Sequence, residues 1–104
     1  MKKNPPKNPF TGTVRSIFAF ERCCWDCGSN QSVELDHIMG RESDSPFNAY
    51  VNCRKCHTNK SHKSDAKRLQ TTSKFLREEG YLPNYKDREF IKKHKKLYQQ
   101  ICLE

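Results

Sequence analysis

The chain has 104 residues and a mass of 12.3 kDa, room for one domain and no second core. Against 12 Asp+Glu it sets 20 Lys+Arg, a formal charge of +8, and only 34% of it is hydrophobic, with six Cys and four His. Large enzymes fit this poorly, as do membrane proteins, since no run approaches the roughly 18–20 consecutive apolar residues of a span, and secreted disulfide scaffolds, since Met1-Lys2-Lys3-Asn4-Pro5-Pro6 leads into no apolar leader.

Residues 1–13, rich in Pro, Asn and Lys, predict a basic extended arm, and residues 14–104 a single domain. The stretch from Val14 to Arg22 is too short for periodicity to choose between helix and strand. Cys23-Cys24-Trp25-Asp26-Cys27-Gly28 reads as a knuckle-like turn. From Val33 to Ile38 the sequence alternates and predicts a strand. Residues 39–47, with Gly40, Ser43, Ser45 and Pro46, predict a loop, and Asn48 to Asn52 a second strand. That strand runs into a second knuckle, Cys53-Arg54-Lys55-Cys56-His57. A helix is predicted over about 57–79, with Ala66, Leu69, Ser73 and Leu76 near helical spacing and Gly80 as its stop. A final helix is predicted over about 85–102. Phe90, Ile91, His94, Leu97, Tyr98, Ile101 and Cys102 share its apolar stripe, and Lys92, Lys93, Lys95, Lys96, Gln99 and Gln100 its wet face. The predicted fold class is α+β.

A cytoplasmic chain keeps its thiols reduced, so six Cys point to metal before disulfides. Cys24-x2-Cys27 and Cys53-x2-Cys56 can each present two thiolates to one tetrahedral ion, and a soft four-sulfur set favours a closed, structural zinc site. The 25-residue spacer between the pairs holds a strand, a loop and a returning strand. Cys23 is the spare of its turn, and Cys102 belongs to the helical stripe. Cys53-Arg54-Lys55-Cys56-His57 also fits the pattern for c-type haem attachment, but that chemistry needs export and leaves the first pair unexplained.

The cage does not account for Asp36-His37 or for His57. Here the chain resembles the HNH endonucleases of the ββα-metal superfamily. The resemblance covers about residues 22–62: Cys24-x2-Cys27-Gly28, Asp36-His37-Ile38, Asn48, Cys53-x2-Cys56-His57 and Lys60, in that order. It implies a zinc-stapled ββα-metal core with an N-terminal arm and C-terminal helices outside it. It further implies that His37 is the general base, that Asp36 and His57 hold one catalytic divalent ion (Mg²⁺, Mn²⁺ or Ni²⁺), and that Asn48 holds the ββ loop and orients the base. DNA would be the substrate, with 5′-phosphate and 3′-hydroxyl products. Small stand-alone members are frequent in bacteriophages and mobile elements, which would put the protein in the host cytoplasm.

Elementary chemistry suits that assignment. An imidazole with an unperturbed pKa of about 6.5 can take a proton from water at cellular pH. An ion held by only two protein groups keeps positions open for phosphate. One geometric difficulty stands, because neighbouring strand residues point to opposite faces, so Asp36 and His37 share a site only where the strand ends or bends. Glu34 lies on the face of Asp36 as a substitute ligand, and Asn52 competes with Asn48 for its role. His62 and His94 read as a surface residue and a packed one.

Charge is segregated along the chain. Residues 1–22 hold five basic groups and one acid, residues 23–62 four and five, and residues 63–104 eleven and six. Cationic ends around a near-neutral metal-rich centre suit a polyanion, and double-stranded DNA is the expected partner, with Arg41, Arg54 and Lys60 as phosphate contacts. A non-catalytic zinc-stabilised nucleic-acid-binding module has the same cage and flanks but leaves Asp36-His37 idle. A nuclease acting on RNA or branched DNA shares the same site.

Overall fold

The alternation of Val33, Leu35 and His37 with Glu34 and Asp36 builds one strand with two chemically different faces. In the computed structural model, which describes residues 10–40, 43–59 and 64–101, this strand is β1 (Val33–His37). It pairs antiparallel with β2 (Ala49–Cys53), Val33 facing Cys53, Leu35 facing Val51 and His37 facing Ala49. Directly opposed residues share a face, so Glu34 and Asp36 lie beside Asn52 and Tyr50 on the other side. The two strands form a small sheet in an α+β fold. Around it stand α1 (Gly12–Ile17), α2 (Arg54–Asn59), α3 (Asp65–Glu78), α4 (Tyr85–Lys93) and α5 (Lys95–Ile101).

Ala49 and Val51 join Phe10, Val14, Phe18, Phe47, Leu69, Leu76 and Phe90 in one apolar core, with Val33 and Leu35 packed against it. The ββ loop reaches that core through a 3₁₀ turn (Pro46–Asn48). Asn48 is fully buried there and works as a clasp. Its side-chain oxygen accepts from Met39 N at 2.8 Å, and its amide donates to the carbonyls of Gly40 and Ser43 at 2.8 and 2.9 Å. Gly40, at φ +97°, supplies the left-handed residue that the loop needs.

Three sequence expectations change in the structure. First, the arm does not extend to residue 13. Phe10 is buried in the core, and Thr11 caps α1 by accepting from Val14 N at 3.3 Å, so the folded unit takes in residues 10–13. The helical alternative for Val14 to Arg22 holds only as far as Ile17. Second, the helix expected over 57–79 is two helices. The first begins earlier, at Arg54 within the second cysteine turn, and Ser64 starts the second by capping Lys67 N at 3.2 Å. Its end follows the expectation. Gly80 takes φ +79°, and the bonds Gly80 N to Arg77 O and Tyr81 N to Leu76 O close a Schellman turn.

Third, the final helix breaks at His94, whose φ of −108° and ψ of 27° leave helical geometry. One straight rod cannot serve both packing partners, because α4 packs on the 3₁₀ turn and α5 on α3. His94 is half-buried and its ring lies 4.6 Å from that of Phe90. Cys102 lies outside the described residues. Among those residues no helix is long and apolar enough to cross a membrane.

Asp87 anchors α4 to the ββ loop. It forms a capping box with Asn84, and its carboxylate also accepts from Ser45 Oγ at 2.7 Å and from the Tyr81 hydroxyl, with the residue 1% exposed. Burial and that carboxylate push the Tyr81 phenol up to about 12. Removing the carboxylate strands several buried donors at once. Asp87→Ala should therefore cost about 2–4 kcal/mol, read as a lowered urea midpoint with an unchanged m-value.

Candidate functional site

Two Cys-x-x-Cys turns meet at the end of the sheet. In the first, Gly28 at φ +81° lets the chain fold back, with Gly28 N bonding Cys24 O at 2.9 Å. The Cys24 sulfur accepts from Asp26 N at 3.3 Å and Cys27 N at 3.4 Å. In the second, Cys53 ends β2 and Cys56 lies in α2, and the Cys53 sulfur accepts from Cys56 N at 3.4 Å. The four sulfurs lie within 4.8 Å of one another, and those of Cys27 and Cys53 are 3.7 Å apart, too far for a disulfide. Sulfurs set tetrahedrally about 2.3 Å from an ion stand about 3.8 Å apart, so the spacing suits a shared metal.

The electrostatics point the same way. Burial raises the Cys24 thiol, but the backbone N–H groups of Cys27, Cys53 and Asp26 outweigh it and bring the group down to about 7. Cys56 is pushed well above the ordinary thiol range, first by burial and then by its sulfur neighbours. Four crowded sulfurs cannot all ionise without a cation between them. Cys24, Cys27, Cys53 and Cys56 together could hold a structural metal ion. Cys23 is exposed and outside the cluster.

On the polar face of the sheet, Asp36 of β1 meets His57 of α2, with Asp36 Oδ2 against His57 Nδ1. His57 follows Cys56 directly, so the cysteine turn sets its position. Asp36 Oδ2 is buried and no correctly directed hydrogen bond reaches it. Burial pushes this carboxyl above the usual range, Glu34 adds to the effect, and His57 and Asn52 oppose it. The carboxylate and the imidazole thus converge on the polar face of the sheet, beside the second cysteine turn. A cleft of about 430 Å³ opens here, lined by Asp36, His37, Ile38, Tyr50, Asn52, His57, Ser64, Asp65 and Arg68.

His37 leaves the sheet on the opposite face from Asp36, yet as the last residue of β1 it still borders that cleft. Its ring stacks on Phe10 at a centroid distance of 4.0 Å, and Nε2 lies 3.5 Å from Asp44 Oδ1. Asn48 and Asn52 divide the roles for which they competed. Asn48 clasps the loop after β1, and Asn52 lines the cleft with Asp36 and favours its charged form. Glu34 is not among the converging groups, since it pairs with Arg54 on the surface at 3.3 Å. The expected phosphate contact at Arg54 is thus an exposed ion pair beside the cysteine turn. Arg41, Lys60 and His62 lie outside the described residues.

Sequence reasoning passed over Asp26, Tyr50 and Arg68. The Asp26 side chain is fully buried between the two cysteines of the first turn, accepts from the Tyr50 hydroxyl at 2.6 Å and meets Arg68 Nη2 at 3.4 Å. A signal for Arg68 existed, since it stands four and eight residues before Thr72 and Leu76 on the buried face of α3. Comparison with protein-family models, with curated proteins and with solved structures found no match.

The cage makes a direct prediction. Cys53→Ser should release the bound metal and, with it, folding free energy, so elemental analysis shows loss of the ion and circular dichroism a lowered thermal midpoint. Chelator treatment of the wild type should reproduce that shift.

Proposed function

We propose that this chain is an HNH-type, metal-dependent endonuclease that hydrolyses DNA phosphodiester bonds, with structural zinc in the cysteine cage. The observation that carries the reading is the meeting of Asp36 and His57 beside His37, at the rim of one cleft and next to four clustered cysteines. The order of these residues in the chain also resembles the HNH motif. The zinc assignment is supported by the all-sulfur donor set and the 3.7 Å sulfur spacing.

In this reading His37 takes a proton from water at a ring nitrogen, and the water oxygen attacks phosphorus. The bond from phosphorus to the 3′-oxygen breaks, leaving a 5′-phosphate and, after proton uptake, a 3′-hydroxyl. Asp36 and His57 would hold a divalent ion, and that ion would supply charge neutralisation on the phosphate and on the departing oxygen. Phe10 keeps the imidazole plane fixed by stacking, Asp44 stands ready to accept from it once protonated, and Asn48 holds the loop that carries Asp44. The formal charge of +8 draws the DNA backbone to the protein. In this reading the cage thiols stay reduced, which suits a cytoplasmic setting.

Plasmid cleavage in Mg²⁺, Mn²⁺ or Ni²⁺ tests the proposal. His37→Ala should slow cleavage about 10²–10⁴-fold, the range for a lost general base. Asp36→Ala should abolish the response to added divalent metal while the cage keeps its zinc. If wild type and His37→Ala are equally inert in every metal while both bind DNA, the protein is a nucleic-acid-binding module instead.

A further inference from the structure

Arg68 is the arginine of the cleft, and the proposed hydrolysis leaves it without work. It stands in the first turn of α3, is 8% exposed, and lines the cleft with Asp36, His37 and His57. A guanidinium keeps its charge at any ordinary pH and offers five N–H donors. Here Nη2 reaches Asp26 Oδ2 at a long 3.4 Å, Cζ lies 5.3 Å from the Tyr50 ring centre, and Nε is buried with no partner among the described residues. Asp26 is shared, because its other oxygen takes the Tyr50 hydroxyl at 2.6 Å. A buried cation so thinly bonded is costly unless an anion completes its shell. The open side of this cation is the cleft, and the planar fork of arginine matches the oxygens of a phosphate.

We propose that Arg68 is a phosphate-binding residue, taking a non-bridging oxygen of the DNA backbone, and that Asp26 of the first cysteine turn holds it in place. The inference rests on the nuclease reading of the cleft. It also ties the cage to the cleft, since the side chain that positions Arg68 lies between two of the clustered cysteines. Asp36 and Asp65 line the same cleft and repel phosphate, so binding through Arg68 is strongest with a divalent ion present.

Two measurements on Arg68→Met and Arg68→Lys test this, each variant checked for thermal midpoint and cage metal. Hydrolysis of bis(4-nitrophenyl) phosphate in Mn²⁺ reports the cleft alone, because the probe is too small to span surface lysines. KM should rise about 10- to 100-fold in Arg68→Met, the loss expected for one charged hydrogen bond, and part-way in Arg68→Lys. Lys74→Met, on the exposed face of α3, should leave it unchanged. Titration of a labelled 20-base-pair duplex in Mg²⁺, in a His37→Ala background, should give a salt slope smaller by about one for Arg68→Met. A folded, metal-loaded Arg68→Met with wild-type KM and slope overturns the proposal while leaving the nuclease reading intact. If wild type hydrolyses neither plasmid nor diester, the slope decides: a loss of one supports the phosphate contact without hydrolysis, and no change overturns it. Should Arg68→Met fail to fold, the same two comparisons are made on the uncharged Arg68→Gln, a raised KM and a slope smaller by about one supporting the contact and wild-type values of both overturning it.

Discussion

The packing of four sulfurs within 4.8 Å of one another is the constraint from which the cleft takes its geometry. Cys53 closes β2 and Cys56 lies in the first turn of the helix that leaves it, so their shared cluster fixes the direction of α2. His57 is the next residue, and that direction brings it to Asp36. The first pair encloses Asp26, whose buried carboxylate reaches Tyr50 and Arg68 on the far wall. Both walls of the cleft therefore hang on the same four atoms. With so little apolar surface in the chain, an ion held there would contribute to folding as well as to position.

A second set of contacts holds the side of the cleft that bears His37. Asn48 clasps the loop behind it, and the Asp87 carboxylate ties that loop to α4 through Ser45. Phe10 closes the arrangement by lying flat against the His37 ring. These contacts join the N-terminal segment, the sheet and the C-terminal helices to one imidazole. In the proposed nuclease, a base held on several sides keeps its aim while the substrate moves past it.

Much of this was legible in the residues. The two-residue alternation gave β1, Gly80 gave the end of α3, and the paired cysteines gave the cluster, because each depends on local geometry or on a fixed ligand spacing. The helix boundaries at Arg54 and His94 were not legible. The first depends on how a cysteine turn continues from a strand, and the second on two packing partners that lie in different directions. Phe10 looked like part of a polar tail because its neighbours in sequence are Pro, Asn and Thr, whereas its neighbours in space are apolar. Arg68 carried a faint signal in its helical register, but charge on a helix is ordinarily read as solvated.

By itself, the sequence determined which chemical groups are available: four thiols in two pairs, an Asp-His pair at a strand end, a His after the second knuckle, and cationic flanks. Tertiary structure decided which of them meet. It turned Glu34 outward to Arg54, assigned Asn48 to the loop, brought Asn52 into the cleft of Asp36, and buried Asp26 against Arg68. The reason is physical. Ligand spacing and strand alternation are short-range and repeat with the backbone, while the partner of a buried charge is set by contacts between elements far apart in the chain, as in the 42-residue separation of Asp26 from Arg68.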